Sequence, residues 1–270
     1  PNTRDREMIF RAHGRAVESL AGRYITAEDV GTSPADMDFV HMETDHVCGL
    51  MGKSGDPSPV TAYGVYQGMK AAALHKYGDD SLAGKHVTVQ GCGHVGYFLC
   101  QDLAEEGAQL TVTDIDHEKV DVILKEFGAK PLGPYEIYGV DSDVFAPCAL
   151  GQILNDDTLK ILNVDIVVGG ANNQLAEPRH AKEIEAKGIL YGPDYLVNAG
   201  GLINVYAEIQ GWPAERSLRK AGEIYGTLIR ILELAEAEGI TTADAADKVA
   251  EQRMEDVRYL RRTELGALEY

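Results

Sequence analysis

From Asp5 to Leu20 the apolar residues Ile9, Ala12, Ala16 and Leu20 recur at helical spacing, and Gly22 stops the run. A short β-type stretch, Arg23 to Thr26, leads into the loop Glu28-Asp29-Val30-Gly31-Thr32, after which Pro34 and Asp36 open a second helix running to about His46. Residues 49–59 (GLMGKSGDPSP) concentrate Gly, Ser and Pro, the composition of an interdomain hinge, and a helix from about Val60 to Tyr77 follows. Beyond Gly84 the period changes. Short β-rich runs, KHVTVQ, LTVTD, DVFAP, DIVVGG and ILYGPD, alternate with helices, a pattern that predicts a parallel sheet because parallel strands need crossover connections. Leu218, Ala221, Tyr225, Leu228, Leu232 and Ala235 mark one long helix over 214–236, ended by Gly239, and a final helix runs from Thr242 to about Arg261. The expected architecture is α/β, with a doubly wound parallel-sheet domain at 61–240. Residues 1–60 form a smaller unit before it, and residues 241–270 a C-terminal helix returning towards that unit.

Composition narrows the function classes. The chain of 270 residues is 44% hydrophobic and 25% charged, as a folded globular protein is, and its net charge of −18 repels phosphate backbones and anionic lipid. Nucleic acid and membrane surfaces are therefore not expected partners. No run approaches the roughly 18 apolar residues of a membrane span, and no basic-then-apolar secretory signal opens the chain, so a cytoplasmic protein is expected. The four cysteines, Cys48, Cys92, Cys100 and Cys148, lack CxxC spacing and read as reduced thiols; His41 and His46 lie five apart, and no metal is assigned to them. The chain opens at Pro1 with a helical pattern already under way a few residues on, which reads as part of a longer protein.

Gly91-Cys92-Gly93-His94-Val95-Gly96 follows the apolar strand 86–90 and opens a helix running to about Glu106. In that context Gly91 permits a tight turn, Gly93 lets a pyrophosphate approach the backbone, Gly96 allows close helix–strand packing, and the helix N-terminus offers unpaired N–H groups to the anion. Asp114, at the end of the next strand and 18 residues beyond Gly96, suits the adenosine ribose hydroxyls and opposes a 2′-phosphate, so NAD is expected over NADP in a Rossmann-type domain. A strand–helix turn without ligand, and a turn-capping carboxylate at Asp114, are the plainer alternatives. By spacing alone Asp29 and Asn198 are ordinary turn residues.

Four further segments, YITAEDVGT (24–32), PSPVTAYGV (57–65), FAPCALG (145–151) and PDYLVNAGG (193–201), resemble the branched-chain amino-acid dehydrogenases, with leucine and valine dehydrogenases the nearest types and phenylalanine and glutamate dehydrogenases more distant. The likeness covers essentially the whole chain. It implies reversible, NAD-dependent oxidative deamination of an L-amino acid to a 2-oxo acid and ammonia, by a homo-oligomer, with 1–60 belonging to a smaller α/β substrate domain. It also implies that Asp29 exchanges protons with the substrate amine, that Asn198 helps hold the substrate carboxylate near the nicotinamide, and that Ala27 walls the side-chain pocket. Gly91, Gly93, His94, Val95, Gly96 and Asp114 would bind the adenosine and pyrophosphate parts of NAD. Thr61, Ala146, Pro147, Cys148, Ala171, Asn172 and Asn198 would surround its nicotinamide half.

The family's glycine-rich segment with a catalytic lysine, and a second substrate-binding lysine, should precede the YITAED run, yet no lysine occurs before Asp29. The expectation is that they lie upstream of Pro1 in a parent chain. The alternatives are a catalytically silent NAD-binding or regulatory protein of the same fold, a phenylalanine- or tryptophan-type dehydrogenase, or another enzyme with this cofactor domain, such as a folate- or shikimate-type dehydrogenase.

Overall fold

A computed structural model describes residues 5–29, 31–51 and 56–266. Val30 of the YITAEDVGT segment and residues 52–55 of the expected hinge lie outside the described residues, as do the ends of the chain. The first unit holds α1 (Arg6–Glu18) and α2 (Pro34–His41), the latter opened by Ser33, whose backbone N–H donates to the Asp36 carboxylate at 2.8 Å. The expected strand Arg23–Thr26 reduces to a single parallel bridge, Thr26 to Val47, and α2 stops at His41 instead of His46. Met37, Val40, Val47 and Leu50, with Phe10 against them, form a small separate core. Arg6 closes this unit by a two-pronged pair to the buried Asp36, at 2.6 and 2.7 Å.

The long helix α3 (Ser58–Tyr77) leads into β1 (His86–Gln90), α4 (His94–Glu106), β2 (Gln109–Thr113), α5 (His117–Phe127) and β3 (Lys130–Pro131). After a 3-10 turn at Glu136–Gly139 come β4 (Ser142–Pro147), α6 (Thr158–Ile161), β5 (Val164–Val167), α7 (Arg179–Ala186) and β6 (Leu190–Tyr191). All strand pairs are parallel, in the order β3-β2-β1-β4-β5-β6, the doubly wound dinucleotide-binding order.

Alternation along the central strands sorts side chains to two faces. Val144, Ala146 and Ile166 enter a core shared with α3, α4, α5 and the long helix Ala214–Glu238, whereas Phe145 and Val167 enter a second core with Ile184 of α7 and Tyr138. Met69, Leu99 and Phe145 are fully buried, each contributing about 1.5–3 kcal/mol of transfer free energy.

Two short helices missed by periodicity, α8 (Asp194–Val197) and α9 (Gly200–Ile209), precede the long α10 (Ala214–Glu238) and α11 (Thr242–Gly266). Residue 200 sits so close to α3 that a Cβ there would lie 2.2 Å from the Val60 carbonyl oxygen, so glycine sets how tightly α9 crosses α3. Near its start α11 packs on α10 through Ala245, Ala246 and Val249 against Ile231 and Ala235.

Candidate active site

The order of the strands reverses between β1 and β4, and there the loops at their carboxyl ends diverge. A cleft of about 770 Å³ opens at this point, walled on one side by Glu28 and Asp29 and on the other by the first turn of α4 and the loops after β4 and β5. Gly91 has φ +104°, and a Cβ on it would lie 2.7 Å from the Cys148 carbonyl carbon; a Cβ on Gly96 would lie 2.0 Å from the Gly91 carbonyl oxygen. Only glycine fits either place. At Gly93 a Cβ would meet nothing within 4 Å, so the loop there is an open cradle, backed by the orphan amides of the first turn of α4. These residues fit a dinucleotide pyrophosphate. Asp114 braces the loop from below: its carboxylate accepts the backbone N–H groups of Cys92 at 2.6 Å and Asp116 at 2.9 Å. A carboxylate has about four acceptor positions, which leaves two for ribose hydroxyls.

On the facing wall Asp29 is exposed, and its backbone is held by Thr32, whose hydroxyl accepts the Asp29 N–H at 2.8 Å and donates to the Asp29 carbonyl at 2.6 Å. Glu28 beside it is half-buried. Burial pushes its carboxyl above the usual range, Asp56 and Asp29 add to this, and His94 acts the other way. His94, on the glycine loop, pairs with Asp56 at 3.0 Å, joining the segment before α3 to the cradle. Thr61 lies in the first turn of α3, where its hydroxyl donates to the Pro57 carbonyl at 3.0 Å.

At the far end of the cleft Asn198 donates to the Asn172 side-chain oxygen at 2.5 Å and to the Gly170 carbonyl at 3.4 Å. Cys148 and Ala171 reach the same wall, whereas Ala146 and Pro147 are buried within β4 and support it from behind. Burial pushes the Cys148 thiol up to about 11 and the Cys92 thiol up to about 12, which favours the protonated form of both. Ala27 does not line the cleft. It is half-buried beside the Thr26 bridge, just outside a lining that begins at Glu28. Leu202 and Val205 of α9 supply the apolar wall instead.

The profile of the Glutamate/Leucine/Phenylalanine/Valine dehydrogenases matches residues 52–118 and 114–257. The chain belongs to this family. A leucine dehydrogenase of Thermoactinomyces intermedius is 53% identical over 266 residues, covering 97% of this chain and 73% of that relative. One from Bacillus subtilis (strain 168) is 53% identical over 261 residues, covering 96% and 72%. The crystal structure of L-tryptophan dehydrogenase from Nostoc punctiforme superposes with a TM-score of 0.82 at 44% identity, covering 94% of this chain and 74% of that one. As a member of the family the chain is an amino-acid dehydrogenase of the pyridine-nucleotide-dependent kind.

Three features of this dehydrogenase escape the sequence reading. Leu202 and Val205 lie in α9, whose first turn is two glycines and so gives no helix-start signal. Glu28 is quoted only as part of a motif, and nothing local reveals its burial. Lys119 reaches the cleft from the start of α5, where its spacing suggests only a solvated helix face. Elsewhere Asp156, His180 and Glu183 approach one another as metal ligands do, but the Arg179 guanidinium already pairs with Asp156 at 2.8 Å and Glu183 at 2.7 Å.

Proposed function

We propose that this dehydrogenase catalyses the reversible, NAD-dependent oxidative deamination of branched-chain L-amino acids to 2-oxo acids and ammonia. The observation that carries the reading is the cleft itself, in which Asp29 faces the glycine cradle and Asn198 across one space. A bound nicotinamide dinucleotide supplies the acceptor for the hydride leaving the amino-acid α-carbon. In this reading Asp29 takes a proton from the substrate ammonium and returns protons as water adds to the iminium carbon and ammonia departs. Asn198, held against Asn172, orients the substrate carboxylate. Gly91, Gly93, His94, Val95 and Gly96 cradle the pyrophosphate, and Asp114 takes ribose hydroxyls while its charge opposes a 2′-phosphate. Thr61, Cys148, Ala171 and Asn172 flank the nicotinamide, with Ala146 and Pro147 behind them.

Leu202 and Val205 offer an apolar surface at the cleft that suits an aliphatic side chain. Ala27 then acts on the pocket only from its border. Residues 1–60 belong in this reading to the substrate unit, 61–240 to the cofactor domain and 241–270 to a C-terminal helical segment, in a cytoplasmic homo-oligomer.

A panel of L-amino acids assayed for NADH formation in the full-length protein tests the reading. Leucine, isoleucine and valine should lead in kcat/KM, with NADP well below NAD. A lead by tryptophan or phenylalanine selects the second reading, favoured by the likeness to the tryptophan dehydrogenase. NADH bound by the protein without turnover of any amino acid selects a silent dinucleotide-binding protein.

A further inference from the structure

The loop that follows β5 carries Ala171 and Asn172 to the cleft, and its shape is held from beneath by a side chain outside the cleft lining. Gln174 is fully buried. Its side-chain amide donates twice, to the Gly169 carbonyl at 2.8 Å and the Ala171 carbonyl at 3.0 Å, drawing the two ends of the turn together under the residues that face the cleft. Its own backbone N–H donates to the Asp194 carboxylate at 2.7 Å. Asp194 opens α8, the one-turn helix that ends beside Asn198, and Asn198 in turn donates to Asn172. A closed circuit results: Gln174 sets the loop, Asp194 ties the loop to α8, and Asn198 meets Asn172 where the two segments converge.

The amide oxygen of Gln174 is buried and accepts no hydrogen bond among the described residues. Turning the amide over would set that oxygen against two carbonyl oxygens, so the orientation is fixed by chemistry. An apolar side chain of similar volume would fill the same space and remove the unmatched amide oxygen, but it would leave the Gly169 and Ala171 carbonyls without their donor. The two donated bonds are therefore what this position supplies.

We propose that Gln174 and Asp194 are positioning residues that hold Ala171, Asn172 and Asn198 in register for the nicotinamide end of the cofactor. The inference rests on the reading of this cleft as the dinucleotide site. Neither residue is a catalytic residue, since neither lines the cleft as Asn172 and Asn198 do.

Paired titrations with NADH and with ADP-ribose, which lacks the nicotinamide, test it. Gln174→Met should weaken NADH about tenfold, on the scale of two lost hydrogen bonds, and leave ADP-ribose within about twofold of the parent protein. Asp194→Ala should act in the same direction, and Asp194→Asn, which keeps an acceptor oxygen for the Gln174 N–H, should restore most of the NADH affinity. This second pair decides the matter if Gln174→Met does not fold. A purely structural role would lower the melting temperature without moving the ratio of the two affinities. Equal weakening of both ligands, or no change in either, overturns the proposal and leaves the cofactor reading standing. A parent protein that binds neither ligand overturns both.

Discussion

Asp29 lies in an irregular turn, at the cleft edge, with its backbone locked to Thr32 and its side chain exposed. A carboxylate placed there can exchange protons with both substrate and solvent. Replacing it by asparagine keeps the shape and removes the base, so Asp29→Asn in the full-length protein should lower kcat by about 10²-fold while NADH titration gives an unchanged affinity. Turnover equal to the parent's would remove Asp29 from the mechanism. Gly96 makes a different kind of demand. A methyl group there would meet the Gly91 carbonyl at 2.0 Å, so Gly96→Ala must shift α4 away from β1, costing about 1–3 kcal/mol in denaturant unfolding and abolishing dinucleotide binding. These two residues also mark what a sequence discloses. The glycine loop is legible because backbone geometry alone demands those glycines. The placement of Asp29 is not, since an aspartate in a loop shortly before a glycine is common turn chemistry and only its company in the YITAED run distinguishes it.

At the scale of elements, α1 and α2 are joined by Arg6 and Asp36, the latter also accepting from the Ser33 backbone and hydroxyl. The Arg6 hydrogen bonds hold the Asp36 carboxyl below the usual carboxylate range, opposed by burial and helped by Ser33. A carboxyl lowered in the folded state stabilises that state at pH values above its unfolded range, and the contribution disappears as pH falls through the folded value. Asp36→Asn should therefore destabilise the first unit by about 1–3 kcal/mol at neutral pH, and the gap between variant and parent should close as acid unfolding is followed below the ordinary carboxylate range. A gap that persists in strong acid would assign the loss to packing instead of charge. The clean period of α10 and the strands β1, β2, β4, β5 and β6 are readable from the sequence, whereas α3 is buried nearly all round and β3, of two residues, is not anticipated. The strand expected at Arg23–Thr26 is not formed because its partner segment offers only Val47, and α8 and α9 are hidden by glycines and by their shortness.

For the whole molecule, the cleft is assembled from the glycine loop, the loops after β4 and β5, and the turn at Asp29, so a ligand filling it would contact both units. NADH at about 100 times its dissociation constant should add about 2.7 kcal/mol to unfolding, read as an upward shift of the melting temperature, whereas nicotinamide mononucleotide, which lacks the adenosine half, should shift it less at equal concentration. Equal shifts from both would separate the stabilising contacts from the glycine cradle. The division of the chain at this scale is the least legible part, because it depends on contacts between segments distant in sequence, such as the Gly49 N–H donating to the Glu208 carboxylate at 2.9 Å. The sheet itself sets a last condition. Its two margins are strands of two residues each, β3 and β6, and at one margin Pro131 has no N–H to donate while Lys130 brings a charge. An extended chain or a second copy finds no ladder of hydrogen bonds to continue there. Edge-to-edge strand pairing of the kind that leads to fibrils therefore has little template on this sheet.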